Sequence, residues 1–318
     1  MDVVSDVLRA VRFSGLVIFQ TELTAPWGLA VPPAATLAGV FGLGTRRLIP
    51  LHAVAKGRGV SVLDGVEALA EGDVVMYPHG DAHVLASDAT VMPTPVGGLL
   101  PPLTPESLTV VRHGGGGALT RVVCGFIHCD EAVFNPLAVS LPKVLCGRGN
   151  GGAGATSLAG LLQLVLSEAA TPRAGTTTIL TRLTELMFVE VLRTYMEALP
   201  AEQTGWFAGL RDPFVGRALQ RLHAEPARDW SVEELGRAVG LSRSALVDRF
   251  HALVGQPPMS YLTHWRIQLA TRLLCDSHAS VATIGEQVGY ASEAAFSRAF
   301  RRVVGKPPAA WRREAALG

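Results

Sequence analysis

Histidine and cysteine crowd into two short stretches of this 318-residue chain. Residues 72–83 read GDVVMYPHGDAH and residues 119–129 read LTRVVCGFIHC, so His79, His83, Cys124 and Cys129 offer two imidazoles and two thiols. That donor set suits tetrahedral zinc, bound through neutral ring nitrogens and thiolates. His79 and His83 are four apart and point the same way if the segment is extended. Strict alternation puts Cys124 and His128 on one face of a strand and Cys129 on the other, so a site using both thiols needs a bulge or a strand end. Two readings stand beside zinc: ordinary buried strand and loop side chains, or thiols whose oxidation is itself a signal. In a reducing compartment Cys124, Cys129, Cys146 and Cys275 are free thiols or ligands rather than disulfides, and Cys275, at the end of an apolar helix, reads as core.

A second chemistry, attraction to phosphate, is concentrated in the last third. From Pro213 onward there are 14 Lys and Arg against 9 Asp and Glu, a balance of +5, whereas the preceding part has 14 against 18, or −4. The net charge of +1 hides this division, and a modest positive charge implies affinity that needs more than one contact region. The glycine-rich runs 114–117 and 147–154 lack the Lys-Ser/Thr of a phosphate-binding loop and read as loops.

The basic residues need helices to present them. In residues 281–312, Val281, Ile284 and Val288 have helical spacing, Gly289 permits a sharp turn, and Ser292 is an N-cap for a second helix. That helix carries Ala295, Phe296, Ala299, Phe300 and Val303 on one side and Glu293, Ser297, Arg298, Arg301 and Arg302 on the other. Residues 230–262 repeat the pattern: Val232, Leu235 and Ala238, then Gly240, the cap Ser242, Leu246, Phe250, Gly255 and Pro257. Phe250 and Phe300, Gly255 and Gly305, and Pro257 and Pro307 are each 50 apart, while Gly240 and Gly289 are 49 apart, so one residue is inserted in the second turn. Between the copies, residues 259–275 form a long, largely buried helix that fixes their separation. If that separation is near one DNA turn, roughly 34 Å, one chain can enter two successive major grooves.

Upstream, LVIF, LAGVFGL, GVSVLD, GDVVMY, LTVVRH and LTRVVCGFIHC are short strands broken by Gly and Pro, as in a small barrel or jelly roll. Residues 158–169, capped by Ser157, and 177–199 are two amphipathic helices. Leu180, Leu183, Leu186, Met187, Val191 and Leu192 give the second a face wider than one neighbour requires. Residues 200–212 read as a hinge, and 213–224 as the first helix of the basic part. No apolar run approaches the roughly 20 residues of a membrane span, and the start lacks a basic segment followed by an apolar one. A cytoplasmic protein with no membrane partner is expected.

Two helix-turn-helix units joined by a W-R-x-x-x-A-x-x-L-L helix, then G-Y-x-S-E-x-x-F-S-R-x-F and G-x-x-P-x-x-W-R, resemble the DNA-binding domain of the AraC/XylS transcription regulators over about a hundred residues. Residues 72–83 fit the second cupin signature, G-x5-P-x-G-x2-H, which resembles the sensor domain of the cupin-like subgroup of that family. The first cupin motif, which in cupin enzymes supplies His-x-His and a Glu, falls at 51–59. His52 is there, but Val54 stands at the second His and Ala55 and Lys56 replace the Glu. His52 and His83 are therefore sensor-pocket candidates. The resemblance implies contact positions Arg243, Ser244, Val247 and Asp248 on the first recognition helix and Glu293, Ala294, Ser297 and Arg298 on the second, with Arg301, Arg302 and Lys306 for phosphates. Arg298 suits a bidentate pair with guanine. Asp248 either accepts from cytosine or pairs with a neighbouring Arg such as Arg249, and the pair is favoured. The resemblance also implies a homodimer formed through the helical pair, and an activator acting with RNA polymerase on promoter DNA. Some members of this subgroup resemble sensors of reactive chlorine or electrophiles.

The expected fold is α+β: a cupin-like β-barrel or jelly roll with a helical hairpin, then an all-α domain with two helix-turn-helix units. The expected boundaries are 1–155 for the sensor, 156–205 for the dimerisation and linker helices, and 213–318 for the DNA-binding domain. The expected function is sequence-specific DNA binding controlled by a small molecule, a metal such as zinc, or thiol oxidation. The rival is a cupin-type metal-dependent enzyme with an appended helical domain, against which the missing first-motif ligands speak.

Overall fold

The computed structural model describes residues 2–11, 13–40, 47–100, 109–129, 133–149, 155–200 and 204–315. In chain order, α1 (Val3–Val11) leads into β1 (Phe13–Thr24), β2 (Gly28–Val31), α2 (Ala34–Val40), β3 (Arg47–Lys56), β4 (Arg58–Val62) and β5 (Val66–Ala70). There follow β6 (Val74–Met76), β7 (His83–Ala86), β8 (Thr94–Pro95), β9 (Thr109–Gly114), β10 (Leu119–Cys129), α3 (Pro136–Ser140) and β11 (Leu145–Gly147). Helices α4 (Ala155–Ala170), α5 (Thr176–Ala198), α6 (Trp206–Arg211), α7 (Val215–Ala224), α8 (Val232–Val239) and α9 (Arg243–Val254) come next. The chain ends with α10 (Pro258–Asp276), α11 (Val281–Gln287), α12 (Glu293–Val304) and α13 (Pro308–Ala315).

Two compact units result: Phe13–Glu131 with Leu141–Ala198, and Met1–Arg12 with Ala132–Ser140 and Leu199–Gly318. In the first, among the described residues, one sheet has the order β11-β6-β3-β10-β1-β9 and the other β5-β4-β7-β2-β8. Their inner faces bury an apolar core that includes Leu23, Trp27, Val54, Val75, Tyr77 and Val122. Strand β10 lies between β1 and β3, antiparallel to both, and its register sets Cys124 opposite Phe19 and His52. This is the cupin-like barrel that the strand pattern predicts. The segment LAGVFGL differs from its expectation: residues 34–40 form α2, because Ala34, Leu37 and Ala38 recur at helical spacing and are buried together, and residues 41–46 lie outside the described set. The glycine-rich run 147–154 is likewise described only to 149.

Helices α4 and α5 form a hairpin whose connection is held by Glu168, which accepts from Thr176 Oγ1 at 2.6 Å and from Arg173 at 3.0 Å. Helix α5 packs on β1 and β11, and its Phe188 stacks on Phe13 with centroids 5.1 Å apart. Leu164, Ile179 and Leu186 of the hairpin stay exposed.

The second unit holds the C-terminal helices, and it also takes in α1 and α3, which the boundary at residue 155 assigned to the sensor. Helix α1 carries an apolar stripe, Val3, Val7, Ala10 and Val11, at helical spacing. It is buried in the helical unit, where the Gln268 side chain donates to Ala10 O at 3.2 Å and accepts from Phe134 N at 3.1 Å. The Phe134 ring meets Tyr261 edge-on at 5.3 Å. Tyr261 in turn accepts from Trp206 Nε1 at 3.0 Å and lies 2.8 Å from His223 Nε2.

Candidate functional site

Each helix-turn-helix is built by local rules that the repeat makes visible. Ser231 and Glu234 form a reciprocal capping box at the start of α8, and Ser242, Ser280 and Ser292 cap α9, α11 and α12. Gly289 has φ of 90°, and a Cβ there would lie 2.5 Å from Ala227 O, so the turn between α11 and α12 admits only glycine. Where the two helices cross, a Cβ on Gly285 would lie 2.9 Å from Phe296. The face buried by α8 uses Leu235, Gly236 and Val239; Ala238, part of the expected stripe, is exposed. Two Trp-Arg pairs tie the units shut. Arg266 donates to Pro226 O and Arg228 O ahead of α8, and Arg312 to Leu274 O and Ala279 O ahead of α11.

The exposed face of α9 presents Arg243, Ser244 and Asp248, with Val247 half-buried; α12 presents Glu293, Ala294 and Arg298, with Ser297 half-buried. The two helices differ in how their charges are engaged. Arg243 pairs with Glu233 at 3.1 Å, and Lys306 pairs with Glu314 and lies over the Trp311 ring. Among the described residues Arg298, Arg301 and Arg302 form no ion pair, so α12 keeps three guanidinium groups without a carboxylate partner on its surface. Asp248 does not pair with Arg249, contrary to the favoured expectation. Arg249 is held by Asp212, which the sequence reading missed: neighbours in a helix do not face each other, and Asp212, in the turn between α6 and α7, comes within 2.6 Å. Burial raises the Asp212 carboxyl, but Arg249 and the amides of Val215 and Phe214 outweigh it and hold the group below the usual carboxylate range. Cys275 is exposed rather than core, because it falls on the outer side of α10 next to the buried Leu274.

In the barrel unit the four expected zinc donors are not brought together. The turn at Pro78 and Gly80, where Gly80 has φ of 71°, breaks the extended run between His79 and His83. His79 lies 2.9 Å from Leu141 O instead. The pairing of β10 with β3 is regular from Val122 to Cys129, so no bulge turns Cys129 to the face that Cys124 occupies. Among the described residues no three His, Cys, Asp or Glu side chains converge as a metal-ion cluster. The residues present do not fit the zinc site.

The barrel lines up a hydrogen-bonded chain instead: His52 Nδ1 lies 3.2 Å from Cys124 Sγ, His52 Nε2 lies 2.9 Å from His83 Nε2, and His83 Nδ1 lies 2.9 Å from Asp81 O. A carbonyl only accepts, so His83 Nδ1 carries the proton and Nε2 is bare. Both rings are neutral, since burial lowers His83 to about 4 and burial together with the facing His83 puts His52 well below the ordinary value. His52 Nε2 therefore donates to His83, His52 Nδ1 accepts, and the Cys124 thiol donates to it. Tyr77 stacks on His83 at 3.4 Å and shares a 2.7 Å hydrogen bond with Ser61. His52 and Cys124 border a cavity between the sheets, about 570 Å³ with its open mouth included, walled largely by Phe19, Leu29, Leu37 and Phe126.

Residues 2–197 match the family model described as Cupin, and residues 235–314 the one described as Helix-turn-helix domain. A putative AraC-like transcription regulator of Streptomyces lividans is 35% identical over 84% of this chain and 87% of its own length. The chain belongs to the AraC-like transcription regulators. The RCS-specific HTH-type transcriptional activator RclR of Escherichia coli is 24% identical to this AraC-like regulator, over 98% of the chain and 97% of its own length. The solved DNA-binding domain of AdpA, in complex with a target DNA, is 30% identical over 33% of this regulator and 95% of that chain, with a TM-score of 0.32. As in its relatives, the helix-turn-helix part makes this AraC-like protein a DNA-binding transcription regulator. No described helix is long and apolar enough to cross a membrane. Sequence reading missed three of this regulator's structural residues, Asp212, Gln268 and Tyr77; only Gln268, a polar residue inside an apolar helix, carried a signal.

Proposed function

We propose that the regulator is a cytoplasmic homodimer that activates transcription with RNA polymerase when a small molecule enters the barrel. Each chain places α9 and α12 in successive major grooves. The observation that carries this reading is the row of unpaired Arg298, Arg301 and Arg302 on the solvent face of a capped helix in the second of two repeated units. Free guanidinium groups there attract phosphate and base edges together. The 19 residues of α10 amount to about 28 Å of spacer, of the order of one DNA turn. Dimerisation rests on Leu164, Ile179 and Leu186: the last two are seven apart on α5, and all three are exposed apolar side chains on one hairpin. Against the reading as a cupin-type catalyst stand the hydrogen bond between His52 and His83 and the lack of ligand chemistry at Val54.

The test is selection of binding sites from a random duplex library by the full chain, with the selected duplex used to weigh the complex by sedimentation. Enrichment of a two-part, non-palindromic element bound by two chains supports the reading. No enrichment overturns it.

A further inference from the structure

We propose that the effector taken by the cavity between the two sheets of the barrel is a neutral, mainly apolar small molecule with a single hydrogen-bonding group set beside Cys124 and His52. The proposal rests on the sensor reading above and names its ligand class.

Among the described residues the wall carries no Asp, Glu, Lys or Arg, and its polar side chains are Thr21, His52 and Cys124, all buried. Each has its proton already placed. Thr21 Oγ1 donates to Val122 O at 3.2 Å, the Cys124 thiol to His52, and His52 to His83. A carboxylate or ammonium ligand would be buried with no opposite charge beside it among the described residues. A sugar would bring several hydroxyls to a wall with almost nothing to pair them, and each unpaired hydroxyl loses affinity. Water is disfavoured for the same reason, because an ordered water needs two to four polar partners. An apolar molecule displaces little and gains contact with Phe19, Leu29 and Phe126.

The relay supplies the one polar point. The thiol of Cys124 can turn from His52 Nδ1 to a ligand carbonyl, or a ligand hydroxyl can donate to Nδ1 in place of the thiol. Neither exchange creates a charge. The Nδ1 acceptor is held in readiness because His83 and the Asp81 carbonyl fix the direction of every proton behind it. An aliphatic alcohol or ketone satisfies all of these conditions, whereas an alkane satisfies all but the polar point.

The experiment uses the full chain and four probes: 1-octanol, n-octane, sodium octanoate and glucose, each titrated by displacement of the neutral dye Nile red and by shift in Tm. Octanol is expected to bind at least tenfold more tightly than octanoate and severalfold more tightly than octane, with no binding of glucose. Cys124→Ala in the company of His52→Phe removes the polar point and should level octanol with octane. Should that pair fail to fold, Leu85→Phe, which narrows the cavity that Leu85 lines, is read in its place and should weaken octanol. Octanoate or glucose binding as well as octanol overturns the proposal, as does octanol binding unmoved by any cavity substitution. Selection of DNA sites is scored separately, so a protein that selects DNA but binds none of the probes rejects the ligand class and leaves the regulator reading intact.

Discussion

Arg249 donates from Nε and from a terminal nitrogen to a single oxygen of Asp212, at 2.8 and 2.6 Å, and so is engaged outside its own helix. Asp248, about 100° around the helix from Arg249, is left exposed with no ion pair among the described residues. With α9 in the major groove, as proposed, an unpaired carboxylate there would be repelled by phosphate and suited to one task, accepting from a cytosine amino group.

Asp248→Ala is therefore expected to relax preference at one base position of the first half-site by about 1–3 kcal/mol while raising affinity for unrelated duplexes. Arg249→Ala should leave base preference alone and lower stability instead. Quantitative sequencing of selected sites and denaturant unfolding of both variants separate the two effects.

On α12 the division of labour is between reading and holding. Arg298→Ala should cost about 1–3 kcal/mol at one base position, whereas Arg302→Ala should weaken all sequences alike and reduce the slope of log K against log salt by about 1. Gel-shift titrations at several salt concentrations, on selected and scrambled duplexes, give both numbers. Equal losses on both duplexes for both variants would contradict the assignment.

The DNA-reading half was legible because its rules are local: serine caps, glycine turns and the 50-residue repeat all survive into the structure. The barrel was legible as a class, since Gly72, Pro78, Gly80 and His83 mark one strand and the turn after it. What failed depended on distance. His79 and His83 share a motif but are turned apart by Gly80, while His52, Cys124 and His83 meet from three strands through sheet register. Asp212 and Arg249 are 37 residues apart, and Gln268 and Ala10 are 258 apart, and nothing in a local pattern announces such partners.

The buried imidazoles make stability depend on pH. His83 titrates at about 4 in the folded chain and His223, lowered by burial, at about 3, against roughly 6.5 unfolded. A depressed histidine leaves the unfolded state binding more protons between those values, so the stability is fully present above about pH 6.5 and is lost as pH falls toward the folded values. Urea unfolding at pH 7.5 and pH 5 should show a lower midpoint at pH 5, and His83→Gln should flatten that dependence for the barrel transition. A midpoint that rises on acidification would contradict the neutral relay.

Gln268 satisfies the Ala10 carbonyl and the Phe134 amide at once. Gln268→Leu orphans both, at about 1–3 kcal/mol each, and should lower the midpoint of the helical unit without altering the selected DNA sequence. Hydrogen exchange of residues 3–11 is the direct readout, with protection expected to fall in the variant.

The central claim, that one chain reads DNA with two helices held by α10, is tested most directly by hydroxyl-radical footprinting of the selected duplex. The account predicts two protected patches on one face of the duplex, about 10 base pairs apart for each bound chain, with Arg298→Ala weakening only one of them. A single patch per chain, or two patches that fade together in that variant, would contradict it.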